Sequence, residues 1–122
     1  MSLRVLVAED DPAMQLVIRV SLARAGLQVK TVSNGAEVVE RALAEPPDVI
    51  VLDWHMPVLD GPAACRRLKS DPVTKGIPVV FLTARSAVDA DQMIASLGAV
   101  GRLTKPFDPK TIGDQLRALL AN

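Results

Sequence analysis

Residues 49–53 have the sequence VIVLD, an uninterrupted apolar run that ends in an aspartate. Consecutive apolar and mostly β-branched residues predict a strand that is covered on both faces. Residues 79–82, with the sequence VVFL, have the same character. Strands of this kind occur in parallel sheets that carry helices on both sides. We therefore predict an α/β protein.

Three further apolar runs, at residues 5–8, 29–32 and 100–103, also favour strands. The last run contains Gly101 and Arg102 and is typical of an edge strand. Helix-like segments separate the runs, so strand and helix alternate five times. The alternation predicts a doubly wound, five-stranded parallel sheet with helices on both faces. A chain of 122 residues fits one domain, which we place at residues 1–122.

The predicted helices begin at residues that favour N-caps, and proline follows two of these caps. Gly26 and Gly98 occupy the positions where the first and fourth helices should end. The predicted caps are Asp11, Asn34, Asp60, Ser86 and Asp108. The residues predicted to face the core are Met14, Val17, Ile18 and Leu22, then Val38, Val39, Ala42 and Leu43, then Met93, Ile94 and Leu97, and finally Ile112, Leu116, Leu119 and Leu120.

The composition argues against several classes of protein. The 14 basic residues equal the 14 acidic ones, whereas a nucleic-acid-binding domain normally carries a basic excess. Trp54, Phe81 and Phe107 are the only aromatic residues, too few for a base-stacking platform. No segment approaches the roughly 18 apolar residues that span a bilayer. Since no signal peptide precedes the acids at residues 9–11, we expect a cytoplasmic protein without a membrane or nucleic-acid partner.

Polar residues stand at the ends of four predicted strands. The carboxyl ends of parallel strands share one edge of the sheet, so these residues should converge on one site. They are Glu9, Asp10 and Asp11 after the first strand, Asp53 at the end of the third, Thr83 and Ala84 after the fourth, and Lys105 and Pro106 after the fifth.

Residues of these types, once close together, could form a metal and phosphoryl site. Glu9, Asp10 and Asp53 would crowd negative charge, which a hard dication with oxygen ligands relieves. Magnesium suits a site with few carboxylates, and manganese is an alternative. Lys105 and Thr83 could contact phosphoryl oxygens, which makes Asp53 the candidate nucleophile for an aspartyl phosphate. Taken singly, each residue is more typical of a loop, a turn or a helix cap.

Four segments of the chain are characteristic in combination. They are VLVAEDD at 5–11, DWHMP with DG at 53–57 and 60–61, FLTA at 81–84, and LTKPF at 103–107. Together they resemble the receiver domains of two-component response regulators, and the resemblance extends from about Leu3 onward. It implies the flavodoxin-like strand order 2-1-3-4-5. It also implies that Asp53 takes a phosphoryl group from a phosphohistidine of a sensor kinase or phosphotransfer protein.

The resemblance further implies a set of metal ligands. Asp10, Asp53 and the backbone carbonyl of His55 would bind the metal, and Glu9 would act on it through water. The family more often has aspartate at the position of Glu9, so the acid here is one methylene longer. Because His55 is the single histidine of the chain, a histidine metal site is not expected.

Other residues are assigned by the resemblance to the phosphoryl group and to its lifetime. Lys105 would contact the phosphoryl group, and the peptide bond before Pro106 would be cis. Ala84, the side chain of His55 and Arg85 would tune the site from its mouth. An arginine at position 85 could pair with the phosphoryl group and hinder the attacking water.

Arg102 departs from the family, which usually has there an aromatic residue that turns inward on activation. An unpaired buried guanidinium is costly, so we expect Arg102 to stay at the surface against Asp89 or Asp91. The face of helix four, strand five and helix five would then signal to a downstream protein through its display of charge.

The leading hypothesis is a phospho-acceptor switch that catalyses only its own phosphorylation and dephosphorylation, as a monomer or a weak phosphorylation-dependent dimer. The alternative is a receiver-like interaction module that works without phosphorylation. An aspartyl phosphatase would have a second acid where His55 stands, and a flavin protein would not place acids at 9–11. The sequence leaves open whether the chain is a stand-alone regulator or belongs to a longer protein.

Overall fold

The structure, a computed structural model, describes residues 2–84 and 88–121, with only the backbone at 88–90. In this part of the chain five strands alternate with five helices, as predicted. The strands are β1 (Arg4–Ala8), β2 (Gln28–Val32), β3 (Val49–Asp53), β4 (Val79–Thr83) and β5 (Gly101–Thr104). The helices are α1 (Pro12–Arg24), α2 (Gly35–Ala44), α3 (Gly61–Ser70), α4 (Val88–Ser96) and α5 (Ile112–Ala121). The predicted cap Ser86 and the predicted tuning residue Arg85 lie outside the described residues.

The strands form one parallel sheet with the order β2-β1-β3-β4-β5, which confirms the order implied by the resemblance. β5 lies at an edge of the sheet, as its sequence predicts, and β2 lies at the other edge. β3 and the first four residues of β4 are buried. Their continuous apolar sequences follow from this position, because helices cover both faces of the sheet.

The core consists of two clusters, one on each face of the sheet. Alternate residues of β1 point in opposite directions, as in any strand. Leu6 belongs to the cluster that includes residues of α2, α3 and α4, whereas Val7 belongs to the cluster that includes residues of α1 and α5. Full burial of one such leucine or valine side chain contributes about 2 kcal/mol to the stability of the fold. None of the helices in the described part of the chain is long and apolar enough to cross a membrane.

Most of the predicted helix ends are confirmed. The side chains of Asp11, Asn34 and Asp60 accept hydrogen bonds from backbone N–H groups in the first turns of α1, α2 and α3. Gly26 and Gly98 follow α1 and α4 with φ of +88° and +82°, a conformation that glycine adopts without strain. Asp108 accepts from the backbone of Lys110 at 2.9 Å, but a turn intervenes and α5 begins only at Ile112.

The prediction of core-facing residues is wrong at three positions. Val17, Leu43 and Met93 have exposed fractions of 41%, 38% and 44%. Each is next in sequence to a buried residue of the same helix, Ile18, Ala42 or Ile94. Successive helical residues differ by about 100° in direction, so a neighbour of a buried residue lies at the margin of the apolar stripe. At these margins the helix turns the side chain towards solvent.

The N-terminus of α2 is pressed against the loop between β3 and α3, and this contact allows a test of the packing. A Cβ added at Gly35 would overlap the backbone carbonyl of Leu59, whereas a Cβ at Gly76 would meet no atom within 4 Å. We expect Gly35→Ala to lower the free energy of unfolding by about 1–3 kcal/mol, the usual cost of overpacking. The matched control Gly76→Ala should leave it unchanged or slightly raised. Equal urea midpoints for the two variants would contradict this close packing.

Candidate functional site

The carboxyl ends of the strands bring the predicted site residues to one edge of the sheet. Glu9 and Asp10 follow β1, Asp53 ends β3, Thr83 ends β4 and Lys105 follows β5. The carboxylates of Glu9, Asp10 and Asp53 each offer an oxygen within 4.8 Å of the others. The convergence expected from the topology is therefore present in the structure.

The three carboxylates differ in their exposure to solvent. Glu9 and Asp53 are buried, with exposed fractions of 1% and 7%, whereas Asp10 is exposed. The cluster is therefore enclosed on one side and open on the other. A few hard oxygen donors with an open side fit a divalent cation of the magnesium type, which keeps waters and accepts phosphate oxygens as further ligands.

Lys105 lies between the two buried carboxylates. Its Nζ donates to Glu9 Oε1 at 2.8 Å and to Asp53 Oδ1 at 3.1 Å. Its backbone N–H donates to the Thr83 carbonyl at 2.7 Å, and the peptide bond to Pro106 is cis. β5 thus delivers a positive charge to the acids that follow β1 and end β3.

Burial and charge pairing act against each other at this site. Burial raises the pKa of the Glu9 carboxyl, and hydrogen bonds from the Lys105 side chain and the Asp11 backbone only partly offset this. Burial alone would lower the pKa of Lys105, but its hydrogen bonds to Glu9 and Asp53 and the attraction of their charges together outweigh that effect and raise it. Lys105 is therefore charged at neutral pH. Its charge offsets part of the desolvation cost of the two buried acids, Glu9 and Asp53.

The backbone of Glu9 is held by a residue that the sequence analysis missed. Gln15, on the first turns of α1, donates from Nε2 to the Glu9 carbonyl and, at 3.2 Å, to the Val32 carbonyl. The sequence offered one signal for Gln15: it is polar, yet it adjoins Met14, which is predicted to face the core. Gln15 is half-buried in the structure. That signal does not name the partner, which depends on where β2 ends.

The loop between β3 and α3 is tied down at several points. Gly61 N donates to the Trp54 carbonyl at 3.0 Å, and Gly35 N donates to the Leu59 carbonyl at 3.1 Å. Between the hydrogen-bonded residues Trp54 and Leu59, His55 is exposed. Val58 has φ of +69°, and 80% of its surface is exposed. A positive φ is unusual for a β-branched residue, so this backbone is strained.

The remaining predicted residues lie further along the same edge or on the neighbouring face. Thr83 is half-buried and Ala84 is exposed. The guanidinium of Arg102 forms an ion pair with Asp91 of α4, and the Arg102 side chain is 16% exposed while that of Asp91 is 59% exposed. The structure thus places Asp91, one of the two acids offered by the sequence, against Arg102. The side chain of Asp89, the other acid, lies outside the described residues.

Comparison with known proteins identifies the family. Residues 5–117 match the response regulator receiver domain, and the chain belongs to this family. It is 33% identical over 120 residues to the alkaline phosphatase synthesis transcriptional regulatory protein PhoP of Bacillus subtilis, an alignment that covers 98% of this chain and 49% of that protein. It is 38% identical to the response regulator MprA of Mycobacterium ulcerans, covering 98% of this chain and 51% of that protein. The chain therefore spans about half the length of these curated relatives.

Solved structures agree with this assignment. The chemotaxis response regulator CheY4 of Vibrio cholerae has a TM-score of 0.91 at 28% identity, covering 98% of this chain and 99% of that one. The receiver domain of a sensor histidine kinase from Pseudomonas aeruginosa has a TM-score of 0.88 at 28% identity, with full coverage of both chains. The structure of that receiver domain has a magnesium ion coordinated in its active-site cleft.

The charge balance of the cluster can be tested by removing Lys105. We expect Lys105→Met to lower the free energy of unfolding by roughly 3–5 kcal/mol without divalent metal, since two buried acids lose their cation. The control is Lys30→Met, which breaks the Lys30–Glu45 pair of equal length, 2.8 Å, whose side chains are 60% and 62% exposed. Loss of that exposed pair should leave the free energy of unfolding nearly unchanged, because solvent screens it. Similar losses in urea unfolding would refute the buried charge balance.

The pH dependence of the Lys105→Met variant provides an independent check. Burial raises the pKa of Glu9 in the folded state above its value in the unfolded chain. The hydrogen bond and charge of Lys105 lower this pKa, so their loss in the variant raises it further. As the pH falls from neutral, the folded variant takes up a proton before the unfolded chain or the folded wild type does, so its stability relative to the wild type should increase. The deficit measured by urea unfolding should therefore shrink at mildly acidic pH. A deficit that grows on acidification would contradict this account of Glu9.

Proposed function

We propose that this receiver domain is a phospho-acceptor switch in which Asp53 receives a phosphoryl group from a phosphohistidine. The donor is a sensor histidine kinase or a phosphotransfer protein. One observation carries the proposal: the Asp53 carboxylate lies within 4.8 Å of those of Glu9 and Asp10 and within 3.1 Å of the Lys105 ammonium. This arrangement combines a nucleophile, cation ligands and a positive charge at one edge of the sheet, where β1, β3 and β5 end.

The reaction uses these residues mainly for position and charge. A carboxylate oxygen of Asp53 forms the new bond to phosphorus while the bond to the donor's imidazole nitrogen breaks, and the bonding electrons remain on the imidazole. Lys105 already contacts Asp53 Oδ1 and is placed to contact a phosphoryl oxygen. The Thr83 hydroxyl donates to another phosphoryl oxygen. The domain modifies its own aspartate and turns over no external metabolite.

Asp10, Asp53 and the backbone carbonyl of His55 would hold a magnesium ion, or manganese in its place, with Glu9 acting through water. A bound dication offsets the charge of the acids and of the phosphoryl oxygens during transfer. Both oxygens of Glu9 already accept hydrogen bonds, from Lys105 Nζ at 2.8 Å and from Asp11 N at 3.1 Å. This supports an indirect role for Glu9 and leaves Asp10, at the open side, to reach the ion.

The signal to a downstream protein would depend on the residues beside Thr83. Movement of Thr83 towards the phosphoryl group would re-pack the segment that leads to α4, which carries Asp91. The Arg102–Asp91 ion pair joins β5 to α4 and would respond by a change in its position. The face formed by α4, β5 and α5 would then present a different pattern of charge to a downstream protein.

The assignment of the acceptor is tested by Asp53→Asn. An amide is a poor nucleophile, so acetyl phosphate with magnesium should add an acid-labile phosphoryl group to the wild type and none to the variant. Intact mass measurement reports the adduct. The control Asp114→Asn changes an exposed acid of α5 and should keep the adduct. A persistent adduct on Asp53→Asn that maps to another residue would assign the acceptor elsewhere.

The metal assignment predicts that magnesium stabilises the folded state, because a ligand that binds only the native state adds free energy by mass action. The expected gain is about 2.7 kcal/mol at a hundred times the dissociation constant. Asp10→Ala should remove most of the rise in melting temperature. Asp11→Ser, which keeps a capping side chain, should retain it. If millimolar magnesium changes neither the melting temperature nor the fluorescence of Trp54, the cluster is not a metal site.

The output assignment predicts that Arg102 keeps an acidic partner after phosphorylation, because burying an unpaired guanidinium is costly. A structure with a bound phosphoryl analogue would show this. Docking of the downstream protein should weaken with salt and with Arg102→Ala, but not with Arg67→Ala on the exposed surface of α3. The mechanism is wrong if Arg102 becomes buried beside Thr83 without an acidic partner.

A further inference from the structure

We propose that Gln15 is a positioning residue for the carboxylate cluster: its side-chain amide fixes the backbone of Glu9 and thereby the placement of the Glu9 and Asp10 carboxylates towards a divalent cation. The inference deepens the proposed function and rests on it. It assigns a role in the site to a residue of α1 that supplies neither a cation ligand nor a contact to the phosphoryl group.

The side-chain hydrogen bonds of Gln15 all lie at the point where β1 leaves the sheet. The parallel pairing of β1 with β2 ends at Ala8 and Val32. Beyond it, Glu9 N donates to the Val32 carbonyl at 3.0 Å. Gln15 Nε2 donates to the Glu9 carbonyl, to the same Val32 carbonyl at 3.2 Å and to Ser33 Oγ at 3.3 Å. The amide thus joins the end of β1 to the end of β2 one step past the last strand pair.

The surroundings of Gln15 select an amide group. Two backbone carbonyls can only accept hydrogen bonds, and a side-chain NH2 group offers two donors for them. An apolar side chain would leave the Glu9 carbonyl without this donor in a part-buried position. An unsatisfied polar group of this kind is costly, so the segment would shift to find water.

A shift of this segment would reach the cluster directly. The Glu9 carbonyl belongs to the peptide unit that leads into Asp10, and Glu9 and Asp10 each offer a carboxylate oxygen to the cluster. α1 is itself fixed at its start, where the Asp11 side chain accepts from Ala13 N at 3.0 Å and Gln15 N donates to the Asp11 carbonyl at 2.9 Å. Gln15 therefore extends from a fixed helix end. Groups that orient metal ligands in this way typically contribute tenfold or more to metal affinity.

The experiment measures magnesium affinity and stability separately in the full chain. Titration with magnesium chloride, followed by Trp54 fluorescence, gives the dissociation constant, and urea unfolding in EDTA gives the metal-free stability. Gln15→Met removes the amide at similar length, and Gln15→Asn keeps the amide but is one methylene short. The control Thr74→Val removes a buried hydroxyl that donates to the Leu68 carbonyl before β4, at the opposite end of the strands.

We expect both Gln15 variants to bind magnesium about tenfold more weakly than the wild type. Thr74→Val should lose stability but keep the wild-type dissociation constant. In EDTA, the amide hydrogen of Glu9 should exchange faster in the Gln15 variants, a change that needs no metal. Gln15→Asn keeps the test valid if Gln15→Met does not fold.

The outcomes separate this inference from the proposed function. If the wild type binds magnesium and both Gln15 variants bind within twofold of it, the positioning role is overturned while the metal site stands. If Thr74→Val weakens binding as much as the Gln15 variants do, the effect is one of general stability and the role is again overturned. If the wild type shows no magnesium response, the metal assignment fails and the inference fails with it.

Discussion

The burial of two carboxylates beside one ammonium group is the constraint on which the site depends. Removing a charged carboxylate from water costs several kcal/mol unless an opposite charge and hydrogen bonds compensate. Lys105 compensates Glu9 and Asp53 at 2.8 Å and 3.1 Å. These groups stand at the ends of β1, β3 and β5, so compensation requires the sheet to assemble in its native order.

Lys105 compensates only part of the negative charge of the acids, and the uncompensated charge supports the chemistry proposed for the site. Glu9, Asp10 and Asp53 carry more negative charge than Lys105 balances. A complete balance would favour a closed and inert cluster. In the proposed function this excess attracts a divalent cation, and a phosphoryl group approaches Asp53 once that cation has offset the acids. Within residues 2–84 and 91–121, the acids of this cluster are thus only partly paired, which a purely structural ion-pair network would avoid.

The sequence predicted what depends on neighbours along the chain and missed what depends on the arrangement of the sheet. The cap at Asp11 was predictable because the bond it accepts comes from a residue two positions away. The outward direction of Val17 was not, because a residue at the margin of an apolar stripe can turn either way. The link from Gln15 to Val32 was not predictable either, since it depends on where β2 ends beside β1. The strand-end residues were an intermediate case, because the expected topology placed them at one edge before any distance was known.

The separation of Glu9 and Lys105 by 96 residues in the sequence has a consequence for folding during synthesis on the ribosome. Synthesis proceeds from the N-terminus, so β1, β3 and β4 are synthesised before residue 105. During that interval the acids of Glu9 and Asp53 have no contact with the ammonium that later pairs with them. Pairing of β1 with β3 before Lys105 is available would bring the acids of Glu9 and Asp53 together without their cation, which disfavours that pairing. Translation of the last strand then supplies the missing cation, so the chemistry of the site and the completion of the fold arrive together.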